Sequence, residues 1–124
     1  MKMRQVLFER FVAEAVQDLP EDFRGKLDNV EITVEEWPDV STRRATGLKD
    51  PRELLGHYRG VPRSRRTHRY GLVLPDRIIL YRGPIEMRCR TRDELRNTIY
   101  HVLYHEIAHH FGISDDRLRE IGAY

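Results

Sequence analysis

The sequence predicts one α+β domain over residues 1–124, a small mixed sheet of three or four strands packed with an N-terminal and a C-terminal helix. Three patterns carry that expectation. Phe8, Phe11, Val12, Ala15, Val16 and Leu19 follow i, i+3, i+4 spacing, the apolar stripe of a helix over residues 4–19. Val30, Ile32 and Val34 alternate with Glu31, Thr33 and Glu35, which marks a half-buried strand. Leu95, Ile99, Leu103, Ile107 and Phe111 recur every four residues, a core-facing stripe on a second helix of about 20 residues.

Taken in order, Pro20 ends the first helix, and EDFRGKL makes a short turn or helix. The first strand runs to Trp37-Pro38. Residues 38–53 are polar and rich in turn formers, so they read as a loop. Residues 54–62, LLGHYRGVP, hold two glycines and a proline and read as a structured loop with a short helical start at most. Residues 70–74 form a second strand, Pro75-Asp76 a turn, and residues 77–82 a third and more apolar strand that Gly83-Pro84 breaks. Thr91-Arg-Asp-Glu94 matches a capping box, with Thr91 as cap and Glu94 reaching back to it. A last helix covers residues 115–123.

Composition narrows the classes. The 124 residues are 40% hydrophobic and 34% charged with a net charge of +2, which suits one modest core and not a disordered chain. No apolar run approaches the roughly 20 residues that span a bilayer. Glu9 interrupts the first apolar stretch and no small-residue cleavage site follows, so no signal peptide is expected. Cys89 is the single cysteine, which excludes an internal disulfide; a cytoplasmic location and a half-buried structural thiol are expected. Residues 1–58 carry a net −3 and residues 59–124 a net +5. Arg59, Arg63, Arg65, Arg66 and Arg69 cluster without interleaved aromatics, the pattern of a solvated loop more than of a nucleic-acid surface.

The chemistry concentrates in HEIAHHFGISDD, which begins at His105. His105 and His109 stand one helical turn apart, so two imidazoles can reach one ion, and zinc suits such ligands. Glu106 lies beside the first ligand, placed to take a proton from a metal-activated water. Gly112 can end the helix and turn the chain back, which brings Asp115 toward the ion as third ligand; Asp116 is the rival. The pattern is HExxHxxGxxD. His101, His105 and His109 lie about 200° from the apolar stripe, on a face that looks at water or floors a cleft. His101 is about 12 Å along the axis from His109, too far to share its ion, and reads as cleft-lining or exposed. His110 points about 100° away from His109 and reads as a supporting or surface residue.

These residues resemble the small bacterial zincin-like metallopeptidases, the minimal zincin family. The likeness runs through the first helix, LLGHYRGVP, PDRIILYRGPIE and HEIAHHFGISDDRL. It implies a zincin-like peptidase fold, one Zn²⁺ held by His105, His109 and Asp115, and Glu106 as general base. A peptide or protein substrate is implied, added as a strand beside the motif helix, with residues 70–74 and 77–82 as candidate partners. Tyr58, His57, His68 and Tyr104 are candidates for stabilising the oxyanion. The acid-free stretch of residues 61–67 could form a basic rim that selects acidic substrates. Metzincins add a methionine turn under the metal, and here Met1, Met3 and Met87 all precede the motif. Two alternatives are a metal-dependent RNA hydrolase, which would not need Glu106, and a catalytically silent binding module.

Overall fold

The structure is a computed structural model that describes residues 5–47, 50–60 and 75–112. Helix α1 (Gln5–Asp18) forms where the apolar stripe predicts it and buries Phe8, Phe11, Val12 and Ala15. EDFRG folds as the short helix α2 (Glu21–Gly25), with Phe23 fully buried. Strand β1 (Val30–Glu35) follows.

The stretch predicted as a loop is partly helical. Asp39 caps helix α3 (Val40–Thr46) by accepting from the Thr42 N–H at 2.7 Å, and Gly47 closes it at φ 74°. A single 3-10 turn (Pro51–Glu53) comes next, with Asp50 accepting from the Arg52 N–H. Neither element has an apolar stripe; local capping bonds define both. The LLGHYRGVP segment is also corrected. Its centre is strand β2 (Gly56–Arg59), not a loop with a helical start.

Strand β3 (Asp76–Tyr81) begins one residue earlier than predicted, because Asp76 N–H donates to the Asn29 carbonyl at 3.0 Å. Arg82, expected to end the strand, instead opens helix α4 (Arg82–Met87). Gly83 is needed there: a Cβ would stand 2.5 Å from Trp37 Cε2, and the Gly83 N–H donates to the Glu36 carbonyl at 2.8 Å. The sheet order among the described residues is β1-β3-β2, with β1 parallel and β2 antiparallel to the central β3. The predicted strand over residues 70–74 and the last helix over residues 115–123 lie outside the described residues.

Helix α5 (Arg92–Phe111) is the predicted motif helix. Leu95, Ile99, Leu103 and Ile107 are each 0% exposed, packed against α1 and against Ile78 and Leu80 of the sheet. Thr91 caps α5 by accepting from the Glu94 N–H at 3.1 Å. Glu94 reaches back one residue beyond the expected cap, to the Arg90 N–H at 2.7 Å. Cys89 is fully buried rather than half-buried, and its thiol donates to Thr98 Oγ1 at 3.4 Å. Thr91→Ala removes the cap and is expected to cost about 1 kcal/mol, read as a lower urea midpoint at unchanged slope.

The fold therefore holds α5 rigidly on its apolar side. Its opposite face is left for β2 and the cleft beside it.

Candidate active site

His105 and His109 are exposed on consecutive turns of α5. His101 is half-buried one turn earlier, its ring centroid 6.3 Å from that of His105. Burial first, then the neighbouring His101 and His109, push His105 below its ordinary value of 6.5 and so toward the neutral imidazole. That is the form with a lone pair free for a cation.

Glu106 lies between the helix and β2. A Cβ built on Gly56 would stand 3.5 Å from Glu106 Cγ and 2.6 Å from Val102 Cγ1, so only a glycine lets the strand come this close. Burial raises the Glu106 pKa above its ordinary 4.5; the charge of His109 and a hydrogen bond from the Tyr58 backbone N–H pull the other way without cancelling it. The result is a carboxylate more basic than a surface one, packed against the start of β2.

A cleft of about 390 Å³ opens beside it. One wall is α5, through Asn97, Thr98, His101, Val102, His105 and Glu106. The other is the start of β2 and the turn before it, through Glu53, Leu55 and Gly56. The histidine face thus floors a cleft at His101 and His105 and meets water at His109.

A second cluster supports the end of α5. His110 stacks on Tyr58, with ring centroids 3.5 Å apart and planes 8° from parallel. The Tyr58 hydroxyl donates to Asp76 Oδ2 at 2.8 Å, and His110 Nε2 lies 3.8 Å from the same oxygen. Asp76 is buried. His110 is therefore a supporting residue, tying the last turn of α5 to β2 and β3. Gly56 and Asp76 escaped sequence reasoning as site residues, and Tyr58 entered it only as an oxyanion candidate. The available signal was a glycine within LLGHYRG, which often marks close backbone approach.

The oxyanion candidates fare differently. Strand alternation puts His57 on the far face of β2 from Gly56 and α5, beside Arg59. Burial first, then Arg59, lowers its pKa. Tyr104 sits in the core with its ring 4.4 Å from Phe23, away from the cleft. Tyr58 spends its hydroxyl proton on Asp76. Of the substrate-strand candidates, residues 77–81 lie in the central β3, and those from Arg77 to Leu80 are paired on both sides. Arg59, the one described member of the arginine cluster, donates to Thr42 Oγ1 at 2.8 Å. His68, Asp115, Asp116, the arginines from Arg63 to Arg69 and the rim over residues 61–67 lie outside the described residues. Among the described residues, no three His, Cys, Asp or Glu side chains converge as a complete metal cage.

The zincin-like metallopeptidase family profile matches residues 27–123, well over half of this chain of 124 residues. The chain belongs to that family. The membership accords with HExxH on a helix packed against a mixed sheet. No curated protein matches the sequence. A solved structure of a conserved hypothetical protein from Thermus thermophilus is similar, with a TM-score of 0.55 and 23% identity over 88% of this chain and 94% of that one. At that identity the likeness speaks for the fold alone. Among the described residues no helix is long and apolar enough to cross a membrane.

Both depressed histidines make a pH prediction. His57 and His105 have folded pKa values below their ordinary 6.5. Between those lowered values and 6.5 the unfolded chain binds more protons, so unfolding free energy falls as pH drops through that window and levels off below it. Urea titrations of metal-free protein from about pH 7.5 down to about 5 should show that fall. The slope should shrink in His57→Asn and His105→Asn.

Proposed function

We propose that this protein is a zinc-dependent cytoplasmic metallopeptidase of one domain, with Glu106 as its general base. One observation carries the reading: the HExxH glutamate is half-buried and lines the cleft, with Gly56 of the facing strand packed close against it. A surface glutamate on a plain polar helix would have neither feature.

The donor set suits zinc. Two imidazoles stand one turn apart, one of them biased toward its neutral form, and Asp115 supplies the third ligand after the turn at Gly112, whose φ is 64°. Zinc bound there would polarise the scissile carbonyl and acidify the attacking water. Glu106 takes the proton from that water and delivers it to the leaving amine nitrogen. Among the described residues β2 is the outer strand beside the cleft, so an extended peptide pairs with its backbone, which replaces the candidate over residues 77–82.

The cleft lining holds Glu53 and Glu106 and no Lys or Arg among the described residues, the wrong sign for an RNA backbone. Zinc-loaded protein should therefore cleave peptides and leave RNA intact in parallel assays. His109→Ala should abolish zinc binding and hydrolysis together. Asp115→Ala should weaken zinc binding while two ligands persist. Zinc content unchanged in Asp115→Ala but lowered in Asp116→Ala would move the third ligand to Asp116.

A further inference from the structure

The cleft does not stop at the reacting groups. From Glu106 and His105 it runs back along α5 past His101 to Asn97, about 12 Å at about 1.5 Å per residue. Its walls change character along that path. Leu55, Gly56 and Val102 make an apolar slot, and Glu53 stands on the wall facing α5. Glu53 is exposed and lies in the 3-10 turn. Arg52, the nearest cation in sequence, grips the Asp50 carboxylate at 2.7 Å and feels the Glu53 charge as a weaker neighbour. No lysine or arginine lines the slot among the described residues.

An apolar slot with a carboxylate on its wall is complementary to one kind of side chain: an aliphatic stem with a cationic end. A purely apolar side chain would use the stem contacts and leave Glu53 unpaired. An acidic one would meet two carboxylates. We propose that this slot receives a lysine or arginine side chain of the substrate, flanking the scissile bond, and that Glu53 is the residue that selects it. The proposal rests on the peptidase reading for the scissile bond; the slot and its charge stand without it. It reverses the acidic preference that a basic rim over residues 61–67 would impose.

The test separates binding from turnover. The full chain carrying Glu106→Gln is mixed with blocked Ala/Gly peptides that differ only in a single Lys, Leu or Glu. Amide NMR shifts at Asn97, Thr98 and His101 report occupancy of the slot, even at millimolar affinity. Lys peptide should bind most tightly and Glu peptide least, and the Lys preference should weaken with salt. Glu53→Gln should lower the Lys-over-Leu affinity ratio about fivefold, the upper range for an exposed ion pair. Glu53→Lys should turn the preference toward Glu. Equal binding of Lys and Leu peptides, a Lys preference indifferent to Glu53, or no shift at these amides with any peptide overturns the proposal. Hydrolysis of the same peptides by zinc-loaded wild type is scored separately. Lys-selective binding without cleavage would sink the peptidase reading and leave the slot assignment intact.

Discussion

Glu106→Gln is expected to leave zinc content at the wild-type level and to lower peptide hydrolysis by about 10²–10⁴-fold, the usual worth of general-base assistance. Glutamine keeps the size and can still accept from the Tyr58 N–H, but it cannot take a proton. The same substitution should stabilise the metal-free protein. The folded pKa of Glu106 lies above 4.5 because burial disfavours its charge. The folded state therefore binds the extra proton between 4.5 and that raised value. Stability falls as pH rises through the window, and the deficit is fully present at about pH 7. Glutamine carries no charge and removes the deficit, so its urea midpoint at about pH 7 should exceed that of wild type, with the gap closing toward about pH 4. A gain in stability with a loss of activity is what a catalytic carboxylate gives and a structural one does not.

Gly56→Ala should be nearly as damaging, though it adds one methyl group and touches no ligand. Its Cβ would overlap Val102 Cγ1 at 2.6 Å. Val102 is β-branched and on a helix, where one χ1 rotamer dominates, so it cannot easily swing aside. The strand must retreat from α5, and the wall that packs against Glu106 goes with it. Overpacking of this kind costs about 1–3 kcal/mol. A shift of about 1 Å at the base can cost about 10²-fold in hydrolysis. Zinc binding, which depends on α5 and the turn after it, should survive. Val102→Ala removes the clashing methyl, so the double variant should recover most of both losses. Additive losses in the double variant would show that the clash is not the cause.

The split between what sequence reading reached and what it missed follows from range. Helices α1 and α5 and strand β1 turn one apolar face inward, which writes a periodicity that can be read locally, while β3 is buried on both faces and reads as an apolar run. The apolar stripe through Leu95 and Ile107 also located the histidines correctly, on the face away from the core. Short α3 and α4 have no stripe; α3 depends on the Asp39 cap and the Gly47 turn, and α4 on Trp37 resting over Gly83. Strand β2 lacks alternation because Gly56 stands where an apolar side chain would otherwise face α5. The pairing of Tyr58 with Asp76 and His110 spans the chain and has no spacing rule that would announce it. Sequence motifs thus named the groups proposed to do chemistry, whereas the residues packed against them required the fold.

Anomalous diffraction at the zinc edge, from crystals of the zinc-loaded full chain, tests the central claim most directly. The account predicts one ion about 2.0–2.1 Å from a ring nitrogen of both His105 and His109, with Asp115 as the third protein ligand and Glu106 near the ion but not bound to it. An ion held elsewhere, Glu106 bound directly to it, or a well-ordered His105–His109 pair with no zinc after loading would contradict the account.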